Sequence, residues 1–290
     1  MRPPKPVLQP RRNRAPSCGI CSPACASRAR RAVRDLARER PGAAAQTLPF
    51  RRAATVLNAW QRNVDTAVDW ADPSWTAALL KLDADQLERV REAMQAASIA
   101  ARVACSRALV RAAGVVPPDF ADLTQGAAQA GAHANAAWLD ALPAERGVQV
   151  LRMRALLFRR AEVRRLIDKR TRQQLSDWVG VSVDRLTQDA HAGEPPDTAR
   201  LIARAGMPPL AALDAARLAI EGCALLLRDL ASSVSPTRCV PFTLLRLALP
   251  RALPPVPWLA QTPADIDAPG SARLFARLAD LLPEYSWLSG

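Results

Sequence analysis

Few side chains in this 290-residue chain have the types and spacing that catalysis needs. The two histidines, His133 and His191, lie far apart in the sequence, so imidazole-based acid–base chemistry has little to work with. Neighbouring carboxylates such as Asp83 and Asp85 fall at expected helix starts, where capping explains them. The sequence has no phosphate-binding loop, dinucleotide-binding fingerprint, zinc-protease motif or serine-hydrolase elbow. We therefore expect no catalytic residues, no cofactor and no small-molecule substrate.

Three cysteines near the amino terminus have a spacing that can suit a metal. Cys18, Cys21 and Cys25 form a CxxCxxxC pattern, which can hold zinc or an iron–sulfur cluster when a fourth ligand completes the site. No histidine lies nearby in the sequence, and three incidental thiols in a tail explain the same pattern. We favour that interpretation and predict no metal site. Cys105 and Cys223 fall in helical patterns and are expected to behave as small hydrophobic residues.

The net charge of +13 is unevenly distributed along the chain. Residues 1–52 carry 13 basic and 2 acidic side chains, whereas residues 53–290 carry 27 basic and 25 acidic ones. The first segment is also rich in Pro, Arg, Ser and Ala without an apolar period, a composition that does not fold alone. We therefore predict a disordered basic tail over residues 1–52, for which an overlong gene start is a further explanation.

Apolar residues recur at three- and four-residue spacing through most of the remaining chain, which predicts helices. A first helix is expected from Ala54 to Trp70. A capping box formed by Asp83 and Gln86 is expected to open one long helix that stops at Gly114. The predicted fold class is mainly α, an irregular multi-helix bundle over residues 53–290 with a subdivision near residue 143.

The carboxyl-terminal half shows the same period. Asp197 is the expected N-cap of a short helix that ends at Gly206, and Ser271 is the expected cap of a last helix. No apolar stretch reaches the ~18 residues that a membrane-spanning helix needs, and the amino terminus lacks the apolar segment of an export signal. We expect a cytoplasmic protein.

Residues 146–178 combine the densest run of arginines with one apolar stripe. Ten basic residues lie between Arg146 and Arg172, against the carboxylates of Glu162 and Asp168. We predict a buried helix pair with these cations on its outer face, which is either a solvated surface or a docking face for an acidic protein partner. The predicted inward face consists of Val148, Leu151, Ala155, Phe158, Val163, Leu166, Ile167, Leu175 and Trp178.

Residues 172–187 fit the pattern of a helix-turn-helix with a glycine at the turn. A DNA-binding regulator is therefore the alternative function, with Arg185 and Gln188 on the second helix as candidate contacts. The carboxylates of Asp184 and Asp189 would face phosphates unfavourably. An ordinary corner between two helices has the same pattern.

Several segments resemble the SctK proteins of bacterial type III secretion, which comprise the YscK and PscK group and the Hrp-type relatives of plant pathogens. Residues 150–180, VLRMRALLFRRAEVRRLIDKRTRQQLSDWVG, resemble a central region of that family. The carboxyl end, LLRLALPRALPPVPWL followed by LLPEYSWL, is similar to the family's closing arrangement. Residues 69–75, DWADPSW, are similar to a Trp-rich segment of the Hrp-type branch. The resemblance covers residues 55–290.

The resemblance implies a non-enzymatic, largely helical accessory protein of the cytoplasmic sorting platform, peripheral at the cytosolic face of the inner membrane. Such a protein would connect the inner-membrane ring protein SctD to the pod protein SctQ, and indirectly to the stator SctL and the ATPase SctN. It would not bind nucleic acid. We expect four arginines of the basic run to contact partners: Arg159, Arg160, Arg164 and Arg165.

Overall fold

The computed structural model describes residues 42–118, 123, 136–188, 195–233 and 242–288. Within these ranges the chain forms α-helices and short 3-10 helices, with no β-strand. The predicted mainly α, multi-helix fold is therefore confirmed. The tail is predicted to be disordered over residues 1–52, and residues 1–41 of it lie outside the described part of the chain. The chain divides into two units, residues 1–47 and 48–290, and the description below concerns the second.

Five helices occupy the amino-terminal part. They are α1 (Gly42–Asp65), α2 (Ala67–Trp70), α3 (Pro73–Leu80), α4 (Ala84–Ala96) and α5 (Ile99–Ala112). Helix α1 begins earlier than the sequence predicts, inside the segment assigned to the tail, because the alanines after Gly42 have high helix propensity. The division at residue 52 stays a prediction.

The long helix predicted to start at the capping box is two helices. The capping box itself is confirmed, because Asp83 accepts a hydrogen bond from the backbone N–H of Gln86 while the Gln86 side chain accepts from that of Asp83. Helix α4 ends at Ala96, and the Ser98 hydroxyl then accepts the N–H of Ala101 at 3.3 Å as the N-cap of α5. The Ser98 side chain caps the start of α5, and the helix that the sequence predicts as continuous is therefore interrupted at this residue.

Eight further α-helices lie in the described residues from position 136 onward. They are α6 (Ala144–Phe158), α7 (Arg160–Arg165), α8 (Lys169–Val179), α9 (Val183–Thr187), α10 (Thr198–Ala205), α11 (Ala215–Ser233), α12 (Pro257–Ala260) and α13 (Gly270–Leu281). Short 3-10 helices cover Trp138–Ala141, Leu210–Ala212, Leu245–Ala248 and Pro283–Leu288. Helix α6 packs along α11 and also contacts α8, α9 and α13, so it is covered on several sides.

Helices α6 and α11 approach closely at Gly222. A Cβ atom built on Gly222 would overlap the backbone carbonyl of Leu151. A backbone group cannot move aside as a side chain can, so only glycine allows this spacing of the two helices.

The largest hydrophobic core draws on both halves of the described chain. It includes Val56, Trp138, Leu156, Leu226 and Leu274, all buried. A second cluster joins α1, α2 and α5 to the 3-10 helix Leu245–Ala248, and a third surrounds Phe158. Residues on both sides of position 143 thus share one core, while the proposed subdivision there stays a prediction.

The carboxyl-terminal expectations are confirmed except at one cap. Asp197 accepts the N–H of Arg200 at 3.0 Å, and Gly206 ends α10 with a left-handed φ of 68°. Cys223 is fully buried, as the helical pattern predicts. The assignment of Ser271 as an N-cap is wrong, because α13 already begins at Gly270.

Candidate functional site

The arginine-rich stretch is divided between the interior and the surface. Arg154, Arg159 and Arg160 are buried, with exposed fractions of 1%, 0% and 3%. The expectation that these cations lie on an outer face is therefore wrong. The physical reason is that helix α6 is packed on several sides, so that its polar positions also face other helices.

Arg154 is the centre of one buried ion-pair network. Its Nε and Nη2 atoms donate to Oδ2 of Asp229 at 3.0 and 2.8 Å, and its Nη1 atom donates to Oδ2 of Asp267 at 2.8 Å. The hydroxyl of Ser271 also donates to Asp229. A Cβ atom on Gly270 would overlap the Arg154 guanidinium, so glycine leaves the space that the network fills. The network joins α6 to α11 and α13.

Arg159 is the centre of a second buried network. Its Nε and Nη2 atoms donate to the two carboxylate oxygens of Glu221 at 2.6 and 2.8 Å, the strong bidentate geometry of an arginine–carboxylate pair. Its Nη1 atom donates to Glu162 at 3.0 Å and to the carbonyl of Pro208 at 2.9 Å. Burial raises the pKa of Glu221, and the bond from Arg159 opposes that shift.

Asp140 is a third buried charge. Its carboxylate accepts the backbone N–H groups of Leu244 at 3.2 Å and Leu245 at 2.7 Å, at the start of a 3-10 helix. Desolvation outweighs these two bonds and raises the pKa of Asp140 to about 7. The Asn63 side chain donates to the carbonyls of Asp140 and Leu142, at 2.8 and 2.6 Å, so α1 is tied to the same point.

Other arginines bind backbone carbonyl groups of neighbouring helices. Arg152 donates to the carbonyl of Ala215, the first residue of α11, at 3.0 Å and to that of Trp178 at 2.9 Å, and Arg164 donates to that of Thr187 at 2.8 Å. Trp178 and Thr187 lie in the last turns of α8 and α9, where carbonyls lack intrahelical partners and carry partial negative charge. These arginines therefore hold helices together.

Four cations, Arg164 among them, lie on an exposed surface where α7 ends and α8 begins. We call this surface the basic corner and define it by Arg164, Arg165, Ile167, Lys169 and Arg170, all exposed. The prediction that Ile167 faces inward is wrong, since its residue is 96% exposed. Helix α7 ends at Arg165 and α8 begins at Lys169, so Ile167 lies in the connection, where the helical period does not apply.

The four predicted contact arginines thus have different positions. Arg159 and Arg160 are inside the protein and are not available to a partner in this arrangement. Arg164 and Arg165 are on the surface, and partner binding by them stays a prediction. The pairing of Arg159 with Glu221 could not be predicted from the sequence, because the two residues are 62 positions apart.

A second surface feature is an apolar groove between α3, α4 and α5. It has a volume of about 630 Å³ and includes Leu79, Leu80, Val90 and Met94 in its lining. Cys105, expected to behave as a small hydrophobic residue, is exposed and lies in this groove. The groove exists because α4 has no buried residue and leaves its apolar side half covered.

A family model described as bacterial type III secretion protein (HrpB4) matches residues 48–284, most of the chain. The chain belongs to the HrpB4 family. It is therefore a component of bacterial type III secretion, and the resemblance to that system's Hrp-type proteins is confirmed. No curated protein and no solved structure matches this HrpB4 family member.

The helix-turn-helix pattern of this HrpB4 family member corresponds to a real corner, formed by α8, Gly180 and α9. Helix α9 has five residues, of which Val183, Leu186 and Thr187 are buried. The guanidinium of Arg185 donates to a carbonyl of α13, and an arginine of α13 donates back to the carbonyl of Arg185. The side chain expected to read bases is thus engaged within the protein.

Several predicted site residues of this HrpB4 family member fall outside the described part of the chain. They are the cysteines of the CxxCxxxC pattern and both histidines. Among the described residues, no cluster of three or more histidine, cysteine or carboxylate side chains is arranged to hold a metal ion. None of the described helices combines the length and apolar character that a bilayer-spanning helix needs.

Proposed function

We propose that this HrpB4 family member is a non-enzymatic adaptor of the type III secretion sorting platform. It would link an SctD-type inner-membrane ring protein to an SctQ-type pod protein, and indirectly to SctL and SctN. Its place would be peripheral, at the cytosolic face of the inner membrane. Membership of a type III secretion family is the starting point.

The observation that carries the proposal is the basic corner. It presents four cations around an isoleucine that is 96% exposed. Exposed cations steer an acidic partner towards the surface, and an exposed apolar side chain gains free energy when that partner covers it. A protein–protein contact uses both properties.

The buried networks support an adaptor rather than an enzyme. One network pairs Arg154 with Asp229 and Asp267, and the other pairs Arg159 with Glu221. Both connect α6 or its carboxyl end to α11. Charges that are held in fixed ion pairs position helices and are not directed at a substrate. A body fixed in this way can hold two partners at a defined separation.

The proposal is tested by capture of partners from cells. The full chain, tagged, is recovered from cells that express a complete type III secretion system, and bound proteins are identified by mass spectrometry. We expect recovery of the SctQ-type and SctD-type proteins. Recovery of neither from cells whose secretion system is assembled would contradict the adaptor function.

A matched pair of variants relates the capture to the basic corner. The test variant reverses two corner charges, Arg165→Glu and Lys169→Glu, and the control reverses two exposed charges of α10, Arg200→Glu and Arg204→Glu. Arg164 is left unchanged because it also bonds to a backbone carbonyl. We expect the test variant to lose one partner and the control to keep both.

A further inference from the structure

The cations of the basic corner have few partners inside the protein. Arg165 and Lys169 form no ion pair and no side-chain hydrogen bond with any of the residues that the structure describes. The one carboxylate in this stretch, Asp168, accepts the backbone N–H groups of Arg170 and Thr171 at 3.2 and 2.8 Å. The four cations of the corner outnumber this one carboxylate, so the corner keeps a net positive charge.

The exposure of Ile167, the one apolar residue of the basic corner, is costly for a different reason from that of the charges. Fully burying an isoleucine side chain is worth about 1.5–3 kcal/mol, yet Ile167 is 96% exposed. Its neighbour Leu166 is only partly buried and packs against the main core. A partner that covers Ile167 would extend an apolar contact that already reaches the core.

A concave surface of about 920 Å³ adjoins the corner. It runs beside helix α8, and its lining includes Leu166, Ile167, Lys169, Gln173 and Val181. The surface thus offers a small apolar patch, formed by Leu166, Ile167 and Val181, among polar side chains that include the cations of Lys169 and Arg172. A concave surface of this volume suits a short segment of polypeptide chain.

A carboxylate makes a phosphate-rich partner a poor fit. Asp177 and Asp184 line the same concave surface and are exposed, and Asp184 forms an ion pair with Arg172, which also lines it. Asp177 would repel the closely spaced phosphates of a nucleic acid or the headgroups of an anionic membrane. An acidic protein segment can place its carboxylates on Arg165, Lys169 and the rest of the corner while avoiding Asp177 and Asp184.

We propose that the basic corner and the adjoining concave surface bind an acidic protein segment that carries a large aliphatic side chain. The carboxylates of the segment pair with Arg165, Lys169 and Arg170, and its aliphatic side chain covers Ile167. This inference rests on the proposed adaptor function and names the chemistry of one of its partners.

Binding to the full chain is measured by fluorescence anisotropy with three labelled peptides. The first consists of glutamate and aspartate residues with leucines at i, i+3 and i+4. The second replaces the leucines by serine, and the third replaces the carboxylates by their amides. We expect the first peptide to bind at least about tenfold more tightly than either of the others, with an affinity that falls as salt increases.

Variants of the full chain locate the binding. Ile167→Ser and the double variant Arg165→Glu, Lys169→Glu are each expected to weaken binding of the first peptide about tenfold or more. Both change exposed side chains without a partner in the described structure, so folding is not at risk. The double variant Arg200→Glu, Arg204→Glu carries the same charge change at another exposed site and is expected to bind as the wild type does.

Three outcomes would overturn the inference. The first is equal binding by the wild type and Ile167→Ser. The second is an equal loss in the corner and control variants, which would indicate attraction by net charge alone. The third is tighter binding of a DNA duplex, or of vesicles that contain phosphatidylglycerol, with the same dependence on the corner.

The inference and the proposed function fail in different ways. If the adaptor function is wrong, neither the SctD-type nor the SctQ-type protein is captured, whatever the peptides do. If only the inference is wrong, both proteins are still captured by the Arg165→Glu, Lys169→Glu variant.

Discussion

Arg154 illustrates how much of the stability depends on single buried charges. Its guanidinium is shared by Asp229 and Asp267, and all three side chains are at most 4% exposed. Replacing Arg154 by methionine removes the buried cation between the two carboxylates, while Asp229 keeps Arg228 and Asp267 keeps Arg273 as partners. We expect Arg154→Met to lower the free energy of unfolding by about 2–3 kcal/mol, measured by urea denaturation.

The control for this prediction is an arginine of the basic corner. Arg170→Met removes the same charge from an exposed position and is expected to change the free energy of unfolding by less than about 0.5 kcal/mol. If the two substitutions had similar effects, the network around Arg154 would not have the structural role proposed for it.

Asp140 makes stability depend on pH. The pKa of its carboxyl is about 7 in the folded protein, against a value of 3.8 for an unburied Asp. Between these two pH values the folded state holds a proton that the unfolded state has lost. The contribution of Asp140 to stability is therefore largest near pH 4 and falls as pH rises to about 7, by about 4 kcal/mol in total.

The variant Asp140→Asn isolates this effect because it does not titrate. We expect the wild type to lose stability relative to Asp140→Asn as the pH rises from about 4 to about 8. Urea denaturation of both proteins at several pH values measures the difference. A difference that stays constant with pH would show that the carboxyl of Asp140 has an ordinary pKa in the folded protein.

The partners of the buried arginines could not be predicted from the sequence, and the reason is distance along the chain. Arg154 is separated from Asp229 and Asp267 by 75 and 113 positions, and Arg159 from Glu221 by 62. The helical period places Arg154 three residues after Leu151 and Arg159 four residues after Ala155, on or beside the apolar stripe. The period therefore indicates that these arginines face inward, whereas their carboxylate partners are visible only in the packed structure.

At the scale of elements, two close approaches to α6 depend on glycine in different degrees, one by α11 and one by the 3-10 helix Leu245–Ala248. At Gly222 a Cβ atom would overlap the backbone carbonyl of Leu151, whereas at Gly147 it would meet only the side chain of Leu245, at 2.6 Å. We expect Gly222→Ala to lower the free energy of unfolding by about 3 kcal/mol, since the helices must separate.

Gly147→Ala serves as the comparison, because the Leu245 side chain can change rotamer. We expect it to cost less than about 1 kcal/mol, as alanine also has the better helix propensity. Thermal unfolding of the two variants under the same conditions ranks them. A larger loss for Gly147→Ala would contradict the close approach at Gly222.

The helix ends that the sequence predicted correctly are those at which a single capping residue sets the end of the helix. Asp83, Asp197 and Gly206 each act within a few residues of their own position, and all three were identified from the sequence. The start of α5 at Ser98 was not predicted, because the apolar period continues through it. Ile167 was misplaced for the related reason that a period of apolar residues runs across the connection between α7 and α8.

At the scale of the whole molecule, the sequence predicted the fold class and the family but only part of the candidate site. The concentration of cations in residues 146–172 correctly indicated a charged region. Which cations are exposed depends on the covering of α6 by α8, α11 and α13, a property of the assembled domain. The basic corner consists of cations that the packed helices leave exposed; one of them, Arg164, also donates to a helix-end carbonyl.

The first turns of helix α1 lead to a prediction about shortened chains. Helix α1 begins at Gly42, and the Arg52 guanidinium lies 4.5 Å from the centre of the Trp138 ring, a cation–π contact that links α1 to the main core. A chain that starts at residue 53 lacks this contact and the first turns of α1. A chain that starts at residue 42 keeps both.

We therefore expect the chain from residue 42 to unfold at a higher temperature than the chain from residue 53. The chain from residue 53 is expected to lose about 1–2 kcal/mol of stability relative to it, from the missing cation–π contact and helix turns. Thermal unfolding of both chains under the same conditions checks this. Equal stability of the two shortened chains would show that residues 42–52 add nothing to the fold.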